Sequence, residues 1–272
     1  AGVAEGVGVG ERADTDRVEY EQRDGHAASI RAAAARRRPA CVPHALRAAG
    51  GGAARGHNGA MPDDTPLPDH VRRTLERLAP KAPRFVVAVS GGSDSVAALR
   101  LVHEAGLPVV AAHFDHRLRE ASAEDARFVR DLCAGLGVPL VEGGADVVAV
   151  AAARGWNLED AARRLRYAFL HRVLAEEARG GAIVVAHTLE DQAETVLLQL
   201  LRGTAHPTGM RPRSRAVVRP LLDLSRQALR AYLSELGQAW REDASNADVS
   251  RNRAWLRHEV VPRLEERFPG AQ

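Results

Sequence analysis

The sequence predicts an α/β protein: a doubly wound parallel sheet with helices on both faces, followed by a short helical C-terminal segment. Three observations carry that prediction. First, FVVAVS, PVVAAHF, VPLVEG and AIVVAHT are short β-branched runs, apolar on both faces, as strands covered on both sides must be. Second, residues 94–104, 121–136, 146–154, 158–179 and 189–202 carry helical spacing, so strand and helix alternate along the chain. Third, the first run ends in SGGSDS, two glycines set between a strand and a helix.

Ahead of these elements the pattern is different. Residues 1–60 are rich in Ala, Gly and Arg without a sustained period, and are expected to be disordered or a non-native extension. Met61 opens MPDDTPLPDHVRRTLERL and is expected to start translation, with 61–82 forming an N-terminal helix and linker. Residues 83–220 form the expected α/β domain, and 221–272 its helical tail. No run reaches the ~18 apolar residues of a membrane span, and the first residues lack an export pattern, so cytoplasm is the default. Cys41 and Cys133 stand far apart without a CxxC pair, which argues against a disulfide framework, a structural zinc or an iron–sulfur site. Lys81 is the single lysine, so the choice of arginine over lysine carries little information. Net charge is +3, yet five arginines and no acid lie between Arg202 and Arg219, a stretch suited to nucleic-acid phosphates or to a solvated loop.

The glycine turn holds the first chemistry. A strand ending at Ser90, then Gly91 and Gly92, then a helix beginning at Ser93 or Asp94, leaves several backbone amides free around a concave turn that attracts phosphate. Glycine permits close approach of the backbone, and hydroxyls of Ser90, Ser93 and Ser95 can add donors. No lysine follows, so this is not a GxxxxGK[ST] loop, and Asp94 is available to hold magnesium on the phosphate. An ordinary capped turn is the alternative.

Three further segments carry candidates. HFDHRLRE places His113 and His116 at the end of the second strand, as polar groups or as metal ligands. NLEDAARRLRYAFL places Arg163 and Arg166 on one helical face, either as a phosphate clamp or as a solvated face with Glu159 pairing Arg163. AHTLEDQAETVLLQLLRG ends a strand at His187 and sets Asp191 and Glu194 at i,i+3, with Val196, Leu197, Leu200 and Leu201 expected to pack below. These two acids suit magnesium or an amine, or merely the helix dipole, worth about 0.3 to 1 kcal/mol.

Together, these motifs resemble a known family. SGGSDS is similar to the pyrophosphate loop of the N-type ATP pyrophosphatases, the PP-loop superfamily with its adenine nucleotide alpha hydrolase-like fold. The segment from His187 to Gly203 resembles the H-x-x-x-D-x-x-E-T-x-L-x-x-L-x-R-G pattern of tRNA(Ile)-lysidine synthases, with RPLL and the 243–246 DASN segment following in family order. The resemblance implies ATP and Mg2+ as cofactors, and as partners a tRNA(Ile) with a CAU anticodon and free L-lysine. It implies adenylation of the C2 oxygen of the wobble cytidine with loss of pyrophosphate, then displacement of AMP by the lysine amine. In that reading Ser90, Gly91, Gly92, Ser93, Asp94, Ser95, His116 and His187 bind the nucleotide, and Asp94 and Asp191 hold the metal. Asp94, Arg163, Arg166, Asp191 and Glu194 then serve the chemistry. A homodimer is left open. The chain departs from the family pattern at Arg117, which stands in a glycine place, at Ala254, where asparagine is usual, and across GTAHPTGM. A tRNA thiolase of the same superfamily, which usually needs a cysteine pair, and a noncatalytic nucleotide- or RNA-binding fragment are the alternatives.

Overall fold

The structure, a computed structural model, describes residues 65–118, 122–242 and 252–268. Expectations for residues 1–60, Met61 and the 243–246 segment lie outside them. In chain order the elements are α1 (Leu67–Leu78), β1 (Phe85–Ala88), α2 (Ser93–Glu104), β2 (Val109–Asp115), α3 (Ser122–Leu136), β3 (Leu140–Gly144), α4 (Val147–Arg154) and α5 (Leu158–Glu177). Then follow β4 (Ala182–Val184), α6 (Leu189–Leu201), β5 (Arg213–Ser214), β6 (Val217–Val218), α7 (Arg226–Glu235), α8 (Asn252–Trp255), a π-helical turn at Leu256–Val260, and α9 (Val261–Arg267).

Six strands form one sheet in the order β3-β2-β1-β4-β6-β5, parallel except for β5 against β6. Alternation along each strand splits the core in two. Phe85, Val87, Val89, Ala111 and Val184 face α1, α2, α3 and α7, while Val86, Val110, Ala112, Ile183 and Val185 face α4 and α5. That division is the doubly wound architecture the apolar runs predict. β1 leads through α2 to β2 on one side, and β3 leads through α4 and α5 to β4 on the other, so the winding reverses at β1/β4. Ligands bind doubly wound sheets at such a crevice, outside the carboxyl ends of the strands.

Local sequence sets the helix starts. Asp146, Asn157 and Ser225 cap α4, α5 and α7 with their side chains, and Thr188 and Asp191 form a capping box at α6. Two features differ from expectation. The β5–β6 hairpin, RPRSRAVVR, is too short to show a strand period and extends the sheet by pairing with β4. In α6 the expected faces are exchanged: Leu200 and Leu201 are exposed, Leu201 at 67%, and the helix buries Asp191 and Glu194 instead. The reason is its placement, since α6 meets α7 and the 252–260 segment, whose arginines receive the acids, rather than an apolar helix layer.

Candidate active site

The β1–α2 turn is shaped by its own side chains. Gly91 adopts φ +96°, a conformation that L side chains rarely take. Within the protein a Cβ there would meet nothing nearer than 3.6 Å, so the fold's own demand for glycine is conformational. Ser95 donates to the Gly92 carbonyl at 2.9 Å and accepts from the Ser90 N–H at 3.1 Å, while the Ser90 and Ser95 hydroxyls lie 3.1 Å apart. Ser93 donates to Asp94 at 3.2 Å. These hydroxyls therefore brace the turn. Among the described residues no hydrogen bond consumes the N–H groups of Gly91, Gly92, Ser93 or Asp94, which stay free to face an anion. The Gly91 carbonyl accepts the Arg241 N–H at 2.9 Å, and the Arg241 side chain reaches Glu124 and Asp125 at the start of α3.

Three acids converge beside this turn. Asp94 from α2 and Asp191 and Glu194 from α6 all meet Arg226 at the start of α7: Nε to Asp94 at 3.3 Å, Nη1 to Glu194 at 3.5 Å, and Nη2 to Asp191. Arg257, in the π-helical turn, grips Glu194 with two bonds of 2.7 and 3.1 Å. Glu194 is 1% exposed, so this charge is almost wholly desolvated and depends on its arginines. Asp191 also accepts the Thr188 N–H at 3.0 Å, tying its carboxylate to the helix start. Burial raises the Asp94 pKa, opposed by Arg226 and reinforced by Asp191. Burial also works against the charge on Arg226, but Asp191, Asp94 and Glu194 outweigh it and raise its pKa.

The other half of the strand edge is basic. His116 follows β2 and His187 follows β4, and burial holds both imidazoles neutral, with pKa values lowered to about 4. Arg166 adds to the lowering at both, and Arg219 and Arg253 add to it at His187. His187 Nδ1 accepts from Arg219 Nε at 3.0 Å. Arg163 and Arg166 flank the Tyr167 ring, at 4.9 and 5.6 Å from its centroid. The expected Glu159–Arg163 pair is not what forms on this face: Arg164 pairs with Asp160 at 2.7 Å. His113 Nδ1 donates to the Val89 carbonyl at 2.8 Å, bracing β2 against the turn.

Placement of the expected residues is thus uneven. Asp94, Asp191 and Glu194 share one cluster with the free amides; His116, His187 and Arg166 share the basic half; Arg163 lies at its outer rim. Sequence reasoning missed Arg226 and Arg257. Arg219 lies in the five-arginine stretch but is buried rather than solvated, and Arg226 lies just past RPLL, where only its position in the fold gives it a role. Arg117 carries φ +51°, so it takes the conformation its glycine place implies, with its N–H donated to Asp115 at 2.8 Å. The GTAHPTGM loop is fastened to α6 by Gln192 and Gln199, which accept the Met210 and Gly209 N–H groups at 2.7 and 3.0 Å.

A mostly parallel sheet whose switch point carries a lysine-free turn of free amides places the chain among the α/β proteins built like phosphate-binding ones. The model of the PP-loop domain family matches residues 67–264, and the chain belongs to that family. It is 57% identical over 201 residues to the tRNA(Ile)-lysidine synthase of Thermus thermophilus, covering 74% of this chain and 39% of that protein. Against the tRNA(Ile)-lysidine synthase of Deinococcus radiodurans it is 50% identical over 213 residues, 78% of this chain and 36% of the other. The chain therefore spans about two fifths of the length of these relatives. Among solved structures, the U34-tRNA thiolase of Methanococcus maripaludis superposes with a TM-score of 0.59 at 14% identity, covering 75% of each chain, a likeness of fold alone. No helix among the described residues is long and apolar enough to cross a membrane.

Proposed function

We propose that the chain is the catalytic region of a tRNA-modifying ligase that adenylates the C2 oxygen of the wobble cytidine of tRNA(Ile) with a CAU anticodon and joins free L-lysine to it, forming lysidine. The observation that carries this reading is the convergence of Asp94, Asp191 and Glu194 on Arg226 beside the amides of Gly91 to Asp94. Similarity to the lysidine synthases supports it. Residues 83–220 would form the nucleotide-handling unit and 221–272 its helical tail.

Membership in the PP-loop family supports ATP as the nucleotide. The amides of the turn would hold the departing pyrophosphate as its charge develops, an effect worth about 3 to 4 kcal/mol per well-placed donor. Neutral His116 and His187 would line the nucleotide side, and Arg166, with Arg163 across Tyr167, would contact ATP or the activated cytidine. Asp191 and Glu194 already hold guanidinium groups, so they are chemically suited to orient the lysine ammonium before its amine attacks.

Magnesium fits the donor set. Among the described residues no cluster of three His, Cys, Asp or Glu is arranged for a metal, but Mg2+ takes one or two carboxylates with phosphates and water. Asp94 and Asp191, both within reach of the one Arg226 side chain, would hold it, and it would supply charge balance on the phosphates.

The test is incubation of the protein with ATP, magnesium, labelled lysine and tRNA(Ile) bearing CAU. Label in the RNA with equimolar AMP and pyrophosphate is expected. Absence of label with folded protein and the same tRNA bound would reject the ligase reading.

A further inference from the structure

A groove of about 430 Å3 runs between α5 and the β5–β6 hairpin. Arg163, Tyr167 and His171 of α5 line one wall, and Ser214, Arg215 and Arg219 line the other. Arg164 and Asp160 also border it, and they neutralise one another. From residue 163 to residue 171 the groove follows α5 for ~12 Å. Its upper end meets the basic half of the strand edge, where Arg219 touches His187.

Charge sets this groove apart. Arg219 is 9% exposed; its Nε donates to a neutral imidazole and its Nη1 to the Arg211 carbonyl at 2.8 Å, and no carboxylate among the described residues pairs with it. Arg163 and Arg215 likewise form no ion pair among the described residues. Arg219, taken out of water without a counterion, is costly to bury, so it calls for an anion from outside the protein, and the exposed Arg163 and Arg215 add positive charge beside it. The Tyr167 hydroxyl is buried without a hydrogen-bond partner among the described residues, which leaves one more unspent donor on the wall. The amide cradle follows β1, and β4 separates β1 from β6, so the groove and the cradle lie on different strands of the sheet.

We infer that this groove binds the ribose-phosphate backbone of a single-stranded stretch of the RNA substrate. Arg219 and Arg163 take a phosphate at the strand edge, and Arg215 takes another farther along α5. The inference rests on the RNA-ligase reading, which it deepens.

The experiment measures binding of a labelled anticodon stem-loop bearing CAU by fluorescence anisotropy across a salt series, without ATP, using the full chain. Arg163→Gln and Arg215→Gln each weaken binding by roughly three- to tenfold and lower the log–log salt slope by about 0.7, the loss expected for one single-strand phosphate contact. Arg215 is exposed, so its variant tests the groove without touching the core. Arg219→Gln gives the same direction, with circular dichroism to verify its fold. Binding of a fluorescent ATP analogue stays within about twofold of wild type in Arg215→Gln, whose residue lies outside the nucleotide side. Unchanged RNA affinity and slope in the Arg163→Gln/Arg215→Gln double variant, with wild type binding, would overturn the inference and leave the ligase reading standing. A parallel loss of ATP binding in Arg215→Gln would assign the groove to the nucleotide and overturn it too. Failure of the wild-type protein to bind the RNA at all would bring down the ligase reading itself.

Discussion

The two halves of the strand edge handle charge in opposite ways. Around α6, Asp94, Asp191 and Glu194 are closed by Arg226 and Arg257 within the protein. Between α5 and β6, Arg163 and Arg219 form no ion pair among the described residues. A ligand that enters the first half must compete with a cation already in place, whereas a ligand that enters the second becomes the counterion. In the proposed reading the acids of the first half would receive positively charged groups, metal or amine, and the arginines of the second would receive phosphates.

Substitutions can break this comparison. The largest effect is expected at Glu194→Gln, which strands Arg226 and Arg257 beside a neutral group; unfolding by urea should show a loss of about 3 kcal/mol, the cost of opening a buried pair. A wild-type-like midpoint would mean that the acid half is not held by its charges.

Lowering pH attacks the basic half. His116 binds fewer protons folded than unfolded between about 4 and 6.5, because burial, with Arg166 and His113 added and Asp115 opposing, depresses its pKa. Stability is therefore fully present above 6.5 and falls as pH drops toward 4, by on the order of 2 kcal/mol. His116→Gln should flatten that slope in a pH series of thermal melts, and an unaltered slope would remove His116 as its source.

Asp191→Asn keeps an oxygen for the Thr188 N–H but loses the charge facing Arg226, so a stability loss of about 1 kcal/mol is expected. Lysine-dependent AMP release should fall far more, by roughly 100-fold, the size typical of a lost transition-state contact. Arg219→Met removes an uncompensated charge and should leave stability within about 1 kcal/mol of wild type, against the larger loss at Glu194. Smallest of all, Arg164→Ala removes an exposed i,i+4 pair and should lower the urea unfolding free energy by only about 0.3 to 0.5 kcal/mol.

What the sequence made legible follows from the range of each interaction. The four long strands, the glycine turn and the i,i+3 spacing of Asp191 and Glu194 are local patterns, and each appears in the fold where the pattern predicts. Arg226 and Arg257 find their acids across long stretches of chain, and no spacing announces that. α6 shows the limit most plainly, because a period of leucines reads as a core face. Its true buried face is chosen by two distant guanidinium groups. The β5–β6 hairpin was hidden for another reason: two-residue strands contain less than one full alternation.

The bond from the Arg241 N–H to the Gly91 carbonyl has a mechanical result. It stitches the glycine turn to the chain beyond α7, and the Arg241 side chain carries the seam on to the first turn of α3. A displacement of the turn would therefore be carried to three separate stretches of backbone. In the proposed reading, capture of a nucleotide would thereby be felt well outside its crevice.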